Sequence, residues 1–377
     1  MSTRLLIVHN EPVLPDCDPE AEAERAVATT VAAVREHLGA AGFSVECLAI
    51  GRNLRSSLAE ADRFRSAAIL NLFEGLGDDP TSEARVARAL ESLAVPLSGC
   101  SARALRLAGR KHRAKAALTV AGLPTPKYAV VAPRLRELSF DATVGACGAS
   151  ARERPPSVQL TQLRWPLIAK PALYHASIGI EQASVATNSE QLIERIEHLL
   201  GRYRGPVLVE EFIRGREFTV AVLETPCWMA LGPMEFEFVE PGCGRWPLVT
   251  FDAKWRPESQ AYQATPARHG PSLDARLDGR LRDLACRAFR TLGCRDYARV
   301  DFRVDAEGEP WILEVNPNPD LSPAACLAGA LAFAGFDYGQ WIVGLARAAI
   351  ARGRRDAIDT RRGGALPSAG VLPGCQR

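Results

Sequence analysis

Two short segments near the C-terminal end constrain this chain more than any other feature: Arg299-Val-Asp301-Phe-Arg303-Val304 and Trp311-Ile-Leu-Glu314-Val-Asn316. Each alternates polar and apolar residues, the period-two pattern of a strand with one buried face. Val300, Phe302 and Val304 share one face, and Arg299, Asp301 and Arg303 the other. In the second segment Trp311, Leu313 and Val315 form the apolar set opposite Glu314 and Asn316. Asp305-Ala-Glu307-Gly308 between the segments is a turn signal, so the pair reads as an antiparallel hairpin. With Glu307-Gly308 as a two-residue loop, Asp301 lies opposite Glu314 and Arg299 opposite Asn316. Opposed carboxylates on one face repel and destabilise an empty sheet. A solvated face would tolerate them, but gives no reason for Asn316 to run into the stiff Pro317-Asn318-Pro319. A hard cation removes the penalty, and Mg2+ characteristically takes one or two carboxylates together with phosphates. Asp301, Glu314 and Asn316 are therefore expected to be metal ligands at a phosphate-handling site.

Composition limits the partners of such a site. A formal net charge of +2 over 377 residues gives no electrostatic case for nucleic acid or an anionic membrane. The first apolar run ends at Asn10-Glu11-Pro12, too short for a secretion signal, and no later run is long enough to span a bilayer. A cytoplasmic protein is expected. The ten cysteines are scattered without a C-x-x-C pair, which suits small buried side chains in a reducing compartment. Neither Cys100 nor Cys326, the two near motifs, has a sequence partner that would mark it as a nucleophile.

Strand and helix patterns alternate over the first hundred residues, an open α/β layer with its binding edge at the strand ends. Strands are expected at Leu5–Val8, Phe43–Ile50 and Ala67–Phe73, and helices at Ala21–Ala41 and Ser82–Leu93. No G-x-G-x-x-G follows the first strand, so a dinucleotide-binding reading has little support. Ser101–Gly122 reads as a basic helix, 142–163 as a surface insertion, and 323–351 as helical again. From Pro166 the chain is rich in strands. The divisions expected are 1–105, 106–206 and 207–350, with 351–377 a disordered tail.

Two further segments join the hairpin. Leu167-Ile-Ala-Lys170 delivers a point charge at a strand end, and the small-residue loop around Ser177 can offer backbone N–H groups to phosphate. Val207-Leu-Val-Glu210-Glu211-Phe212-Ile213-Arg-Gly215-Arg-Glu217 is strand, acids, glycine turn and strand, a hinge at which a purine and a ribose could be read. Alone, either segment is more simply a solvated strand end.

Their order decides it. Lys111, Lys170-Pro171, Glu210-Glu211-x-x-x-Gly215-x-Glu217, Lys254 and Arg299-x-Asp301…Glu314-x-Asn316 together resemble the ATP-grasp fold, and within it the D-alanine–D-alanine ligase branch. The resemblance covers roughly residues 4 to 345 and includes Asn71-Leu-Phe-Glu74-Gly75 and Phe251-Asp-Ala-Lys254-Trp255 in a mobile loop. It implies an α/β (α+β) protein of three domains: an N-terminal open α/β layer, a central lid domain and a C-terminal antiparallel-sheet catalytic domain. It implies ATP and Mg2+, with Mn2+ as an alternative, amino-acid-like substrates, and a homodimer as is common in this branch. Lys111, Lys170 and Ser177 would meet the ATP phosphates, and Glu210, Glu211, Phe212 and Ile213 the adenine. Glu217 would meet the ribose, Lys254 the β/γ-phosphates, and Arg299 the developing oxyanion. The implied reaction phosphorylates a carboxylate to an acyl phosphate, which an amine then attacks.

Three departures fall where the branch meets its substrates. Its loop serine aligns with Ala176, its tyrosine after the loop lysine with Trp255, and the serine for the second substrate's carboxylate with Ala325. Losing a hydroxyl from a polar contact typically costs about 1 kcal/mol. Two molecules of D-Ala are therefore not the expected substrates. Glu20, Glu22 and Glu24 compete for the branch's N-terminal glutamate; Glu22, Glu74, His175, Trp255, Asp320 and Ser322 are the candidate substrate contacts. The alternatives are an authentic D-alanine–D-alanine ligase and, from another class, a non-catalytic ATP-binding module on the same fold.

Overall fold

A computed structural model describes residues 2–132, 159–239 and 244–361. The N-terminal strands β1 (Arg4–Asn10), β2 (Ser44–Ile50) and β3 (Ala68–Leu72) form a parallel sheet in the order β2-β1-β3. Leu5 to Val8 are all buried because both faces are covered, the usual condition of a parallel strand. Leu5 and Ile7 pack on Val34 and Leu38 of the helix Val27–Ala40, and Leu6 and Val8 face Val86 and Leu90 of the helix Ser82–Glu91. The helix expected at 21–41 is divided at Ala26. The sequence reading missed the helix Leu54–Arg63, whose Leu54, Leu58 and Ala61 face the core.

Strands β4 (Tyr128–Val131), β5 (Leu167–Pro171), β6 (Val185–Ala186) and β7 (Val207–Glu211) make a second, antiparallel sheet in the order β4-β7-β5-β6. Leu192, Ile196 and Leu199, spaced along one stripe of the helix Ser189–Arg202, cover one face. A boundary at 207 falls inside this sheet, since β7 pairs with both β4 and β5. Of the insertion expected at 142–163, residues 142–158 lie outside the described residues. Leu160 and Leu163 are buried in this core, so the chain is already structured there.

The third sheet holds β8 (Arg216–Leu223), β9 (Met229–Ala230), β10 (Met234–Phe236), β11 (Ala267–His269), β12 (Tyr297–Val304) and β13 (Pro310–Asn316). Its order is β11-β10-β8-β12-β13, with β9 paired to β8. The helix Ala275–Thr291 lies under it through Leu281, Leu284, Ala285, Ala288 and Phe289. Gly215, at φ +142, immediately precedes β8; a Cβ there would stand 1.9 Å from the Val304 carbonyl oxygen.

Asp301 pairs with Glu314 and Arg299 with Asn316, as the alternation predicts, but the turn is different. Val304 pairs with Pro310 across a five-residue connection, 305–309, and the register shifts beside Asp301 so that Leu313 has no partner. This one-residue bulge cancels the longer loop. It also exchanges faces: Ile312, not Leu313, is buried with Val315, and Leu313 turns to the opposite side.

The expected helix 101–122 breaks at Gly109-Arg110 into Ala102–Ala108 and Lys111–Val120, and the Lys111 amide bonds the Ala172 carbonyl beyond β5. The C-terminal stretch is likewise two helices, Cys326–Phe333 and Tyr338–Arg361, separated at Gly335 with φ +81. Helix thus replaces the disordered tail expected from 351 as far as Arg361; 362–377 lie outside the described residues. Among the described residues no helix is long and apolar enough to cross a membrane.

Candidate active site

The second and third sheets face each other across a cavity of about 570 Å³, within the range of nucleotide-sized sites. Its floor is the polar face of the hairpin. Arg299 grips Asp301 with two bonds, Nε at 2.8 Å and Nη2 at 2.9 Å, and Thr219 donates to the same carboxylate at 2.7 Å. Burial opposes the Arg299 charge, but Asp301 outweighs it and raises the guanidinium pKa. Glu314 is ion-paired with Lys111. Burial alone would raise that carboxyl, yet Lys111, His175 and Lys170 hold it below the usual carboxylate range.

Lys170, at the end of β5, pairs with Glu210 on the neighbouring β7 at 2.6 Å, and Lys115 reaches the same carboxylate at 2.8 Å. All three are buried. Two ammonium groups draw the Glu210 carboxyl down against desolvation, while burial pushes Lys115 down to about 8. The Glu210 side chain is thereby committed to charge balance and is not free to read an adenine. Sequence reasoning missed Lys115, although the signal was present: it stands four residues from Lys111, on the same face of one helix.

At the hinge, Glu217 bonds Arg303 at 2.6 Å, and Arg303 stacks its guanidinium 4.9 Å from the Phe212 ring centre. Arg303 is 2% exposed and also bonds the Ile213 carbonyl, so it fixes the hinge backbone. Glu211 is occupied by the backbone amide and guanidinium of Arg164. Ser177 and Ala176 sit in the loop after β5 at φ +61 and +57, a left-handed conformation uncommon for non-glycine residues and concentrated at functional sites.

The short helix Phe251–Trp255 closes the cavity from above. Its Phe251 amide bonds the Ile180 carbonyl at 3.1 Å, and the Trp255 indole donates to the Ala176 carbonyl at 3.0 Å. The two departures at Ala176 and Trp255 meet in one hydrogen bond: the indole needs only a backbone acceptor, so the loss of the serine hydroxyl leaves a latch intact. Lys254 enters beside it, its pKa lowered by burial and by Arg299, and forms no ion pair among the described residues.

Of the predicted residues, Lys111, Lys170, Ser177, Glu210, Glu211, Phe212, Ile213, Glu217, Lys254, Trp255, Arg299, Asp301, Glu314 and Asp320 converge on this cavity. Asn316 does not line it; its side-chain oxygen accepts the Asn318 amide at 3.0 Å. Ser322 is turned to Asp320, donating to it at 3.0 Å. Cys326 lines the wall, its thiol pushed up by burial beside Arg299 and Lys254. Among the described residues no three His, Cys, Asp or Glu side chains gather as a metal cluster. Asp301 and Glu314 nevertheless offer hard oxygen donors on adjacent strands, each now balanced by a protein cation.

A second cavity of about 110 Å³ adjoins the first and shares Tyr174, Ala176, Ile178 and Trp255 with it. Glu74 and His175 lie here rather than at the phosphate end. Burial and Lys111 lower His175 to about 4, and its Nδ1 has no hydrogen-bond partner. Glu22 is exposed and reaches neither cavity, so it is withdrawn as a substrate contact. The helix that begins there turns Glu20 and Glu24 inward instead.

The family model for the D-Ala-D-Ala ligase C-terminus matches residues 119–347. The D-alanine–D-alanine ligase of Pseudomonas entomophila is 30% identical over 322 residues, 85% of this chain and 87% of that one. An uncharacterized protein of Sinorhizobium fredii is 30% identical over 280 residues, 74% of each chain. Among solved structures, the Bacillus anthracis D-alanine–D-alanine ligase complexed with ATP superposes with a TM-score of 0.70 over 94% of this chain and 100% of its own, at 20% identity. The VanG D-Ala:D-Ser ligase of Enterococcus faecalis gives 0.67 over 93% and 100%, at 19% identity. These structural matches speak to the fold alone.

Proposed function

Since the chain belongs to the D-alanine–D-alanine ligase family and is an ATP-dependent, amide-bond-forming ligase, we propose that it joins an amino acid to an amine or second amino acid other than D-Ala plus D-Ala. The phosphoryl-transfer part of the reading is carried by the set of cations around one cavity, Lys111, Lys170, Lys254 and Arg299, and the substrate part by Ala176 and Ala325. A carboxylate oxygen of the first substrate attacks the γ-phosphorus of ATP and ADP leaves. The amine of the second substrate then attacks the acyl carbon and phosphate leaves. The three lysines balance charge on the transferring group, and Arg299, oriented by Asp301, meets the oxygen on which charge develops.

Asp301 and Glu314 are the residues that would hold a divalent metal, Mg2+ or Mn2+, with Asn316 as the third candidate. Bound there, a metal would supply positive charge against the phosphates. The lid helix excludes water that would otherwise hydrolyse the acyl phosphate.

Against D-Ala as both substrates stand Ala176 and Ala325, which carry no hydroxyl; Ala325 caps its helix without a side-chain bond. The deciding assay measures ADP release over a panel of D- and L-amino acids, with mass detection of the amide. Turnover of D-Ala alone at the rate of the best pair would overturn the substrate reading. Tight ATP binding with no carboxylate able to promote ADP formation would make the protein a binding module. Hydroxylamine trapping distinguishes an acyl phosphate from a phosphate ester.

A further inference from the structure

The smaller cavity is lined by more carboxyl groups than one α-ammonium can match. Glu20, Glu24, Glu74, Asp79 and Glu83 all reach its wall. Three of these are already matched. Glu24 accepts the Val13 and Leu14 amides at 2.8 Å and the Gly77 amide at 2.9 Å. Asp79 pairs with Arg85 at 2.6 Å, and Glu20 accepts from the Tyr203 hydroxyl at 2.6 Å in the field of Arg202.

Glu74 and Glu83 have no ion-pair partner among the described residues. Glu83 has only the Asn318 amide, and burial raises it to about 7. Glu74 is raised to about 8 by burial and by the like charge of Asp320, with Lys254 as the one opposing influence. Lys254 lines the larger cavity and not this one, so the pocket has no counter-ion of its own for Glu74. A half-buried carboxyl without a cation is costly to ionise, and Glu74 and Glu83, both half-buried, face one small space. A ligand that brings positive charge removes both costs.

We propose that this cavity selects an amino-acid substrate with a second cationic nitrogen, a short diamino acid, whose two ammonium groups pair with Glu74 and Glu83. The inference rests on the ligase reading above and specifies its first substrate. The cavity is small, about 110 Å³ against about 570 Å³ for its neighbour, and the two adjoin, which favours a short side chain. Leu14, Leu173 and Trp255 supply apolar wall for the methylene stem.

Ornithine and norvaline differ only by the terminal ammonium, and both enantiomers of each would be titrated calorimetrically into the full chain with Mg2+ and a non-hydrolysable ATP analogue. Ornithine of one hand is expected to bind at least about tenfold tighter than norvaline, and Glu83→Gln or Glu74→Gln each to remove most of that preference while analogue affinity stays unchanged. Equal binding of ornithine and norvaline overturns the proposal, as does a preference that survives both substitutions. A thermal melt shows whether each isosteric variant is folded; were one not, the wild-type pair of amino acids still decides. The parallel ADP assay separates the two levels of inference. Failure of every carboxylate to promote ADP sinks the ligase reading, whereas turnover of norvaline equal to ornithine sinks only the charge selection.

Discussion

Lys111 is held by Glu314, Lys170 by Glu210 and Arg299 by Asp301, whereas Lys254 has no carboxylate partner among the described residues. A cation left unpaired in a buried site interacts most strongly with charge that arrives later. Replacing Lys254 by Met should therefore leave nucleotide affinity within a few-fold and lower kcat by about 10²–10³, the usual range for one preorganised electrostatic group. Steady-state kinetics beside equilibrium ATP binding test it; a loss confined to binding would remove Lys254 from the transfer step. Glu74 makes a different prediction, in stability. Its folded pKa of about 8, raised by burial, lies above the unfolded value, so the native state binds the extra proton between about pH 4.5 and 8. The stabilisation it brings is complete below that window and is lost as pH rises through it. Glu74→Gln should match the wild type near pH 4.5 and exceed it at pH 8 by about 1 kcal/mol or more, measured by denaturant unfolding across the range. Parallel curves would show that the carboxyl is already ionised in the native state.

At the scale of elements, the sequence carried most of the reaction site and little of its closure. Asp301 and Glu314 were legible because alternation on paired strands fixes which side chains share a face, whereas Lys170 and Glu217 were picked out by the order of the motifs. The register was right although the loop was not: a longer turn and the bulge at Leu313 offset one another, and period-two reasoning sees neither. The face of Leu313 was lost for that reason, and Arg303 was overlooked because its partners Glu217 and the Ile213 carbonyl are distant in sequence. The latch was illegible on other grounds. Reading Ala176 and Trp255 as two lost polar contacts counted side chains, whereas the structure joins an indole to a backbone carbonyl, a group present whatever the residue. Trp255→Phe keeps the ring and deletes the donor. It should cost up to about tenfold in kcat/KM, as for one hydrogen bond. It should also raise the ratio of ADP to amide above one, because a looser lid admits water to the acyl phosphate. A ratio still at one would mean that the latch does not guard the intermediate.

At the scale of the whole molecule, the N-terminal layer and the catalytic sheet have to keep a fixed relation, because one supplies Glu74 and the other Arg299 to adjoining cavities. Asp296, which is 0% exposed just before β12, provides the joint. Its carboxylate accepts the Gly99 amide from the N-terminal side at 2.8 Å, the Thr225 hydroxyl from the end of β8 at 3.1 Å, and both Nη atoms of Arg352 from the last helix at 2.6 and 2.8 Å. Arg295 and Arg352 extend the joint by donating to the Leu97 carbonyl. Three chain regions, which also share one apolar cluster, are thereby tied by charge in one orientation. Asp296 also sits at φ +64, where Asp and Asn are among the few side chains tolerated, so Asp296→Asn isolates the charge from the backbone demand. Removing one partner from a buried pair is destabilising, and because Arg352 keeps some access to water the expected cost is about 3 kcal/mol, the lower end of that range. Calorimetry should show a fall in Tm of several degrees, with KM for ATP nearly unchanged because the cavity proposed for the nucleotide lies between the other two sheets. Coupling of the two substrates should suffer more, since the acid-lined cavity belongs to the layer that has been loosened. An unchanged Tm would instead mean that the apolar contacts between Tyr297, Trp341 and the N-terminal core orient the layer without the charge.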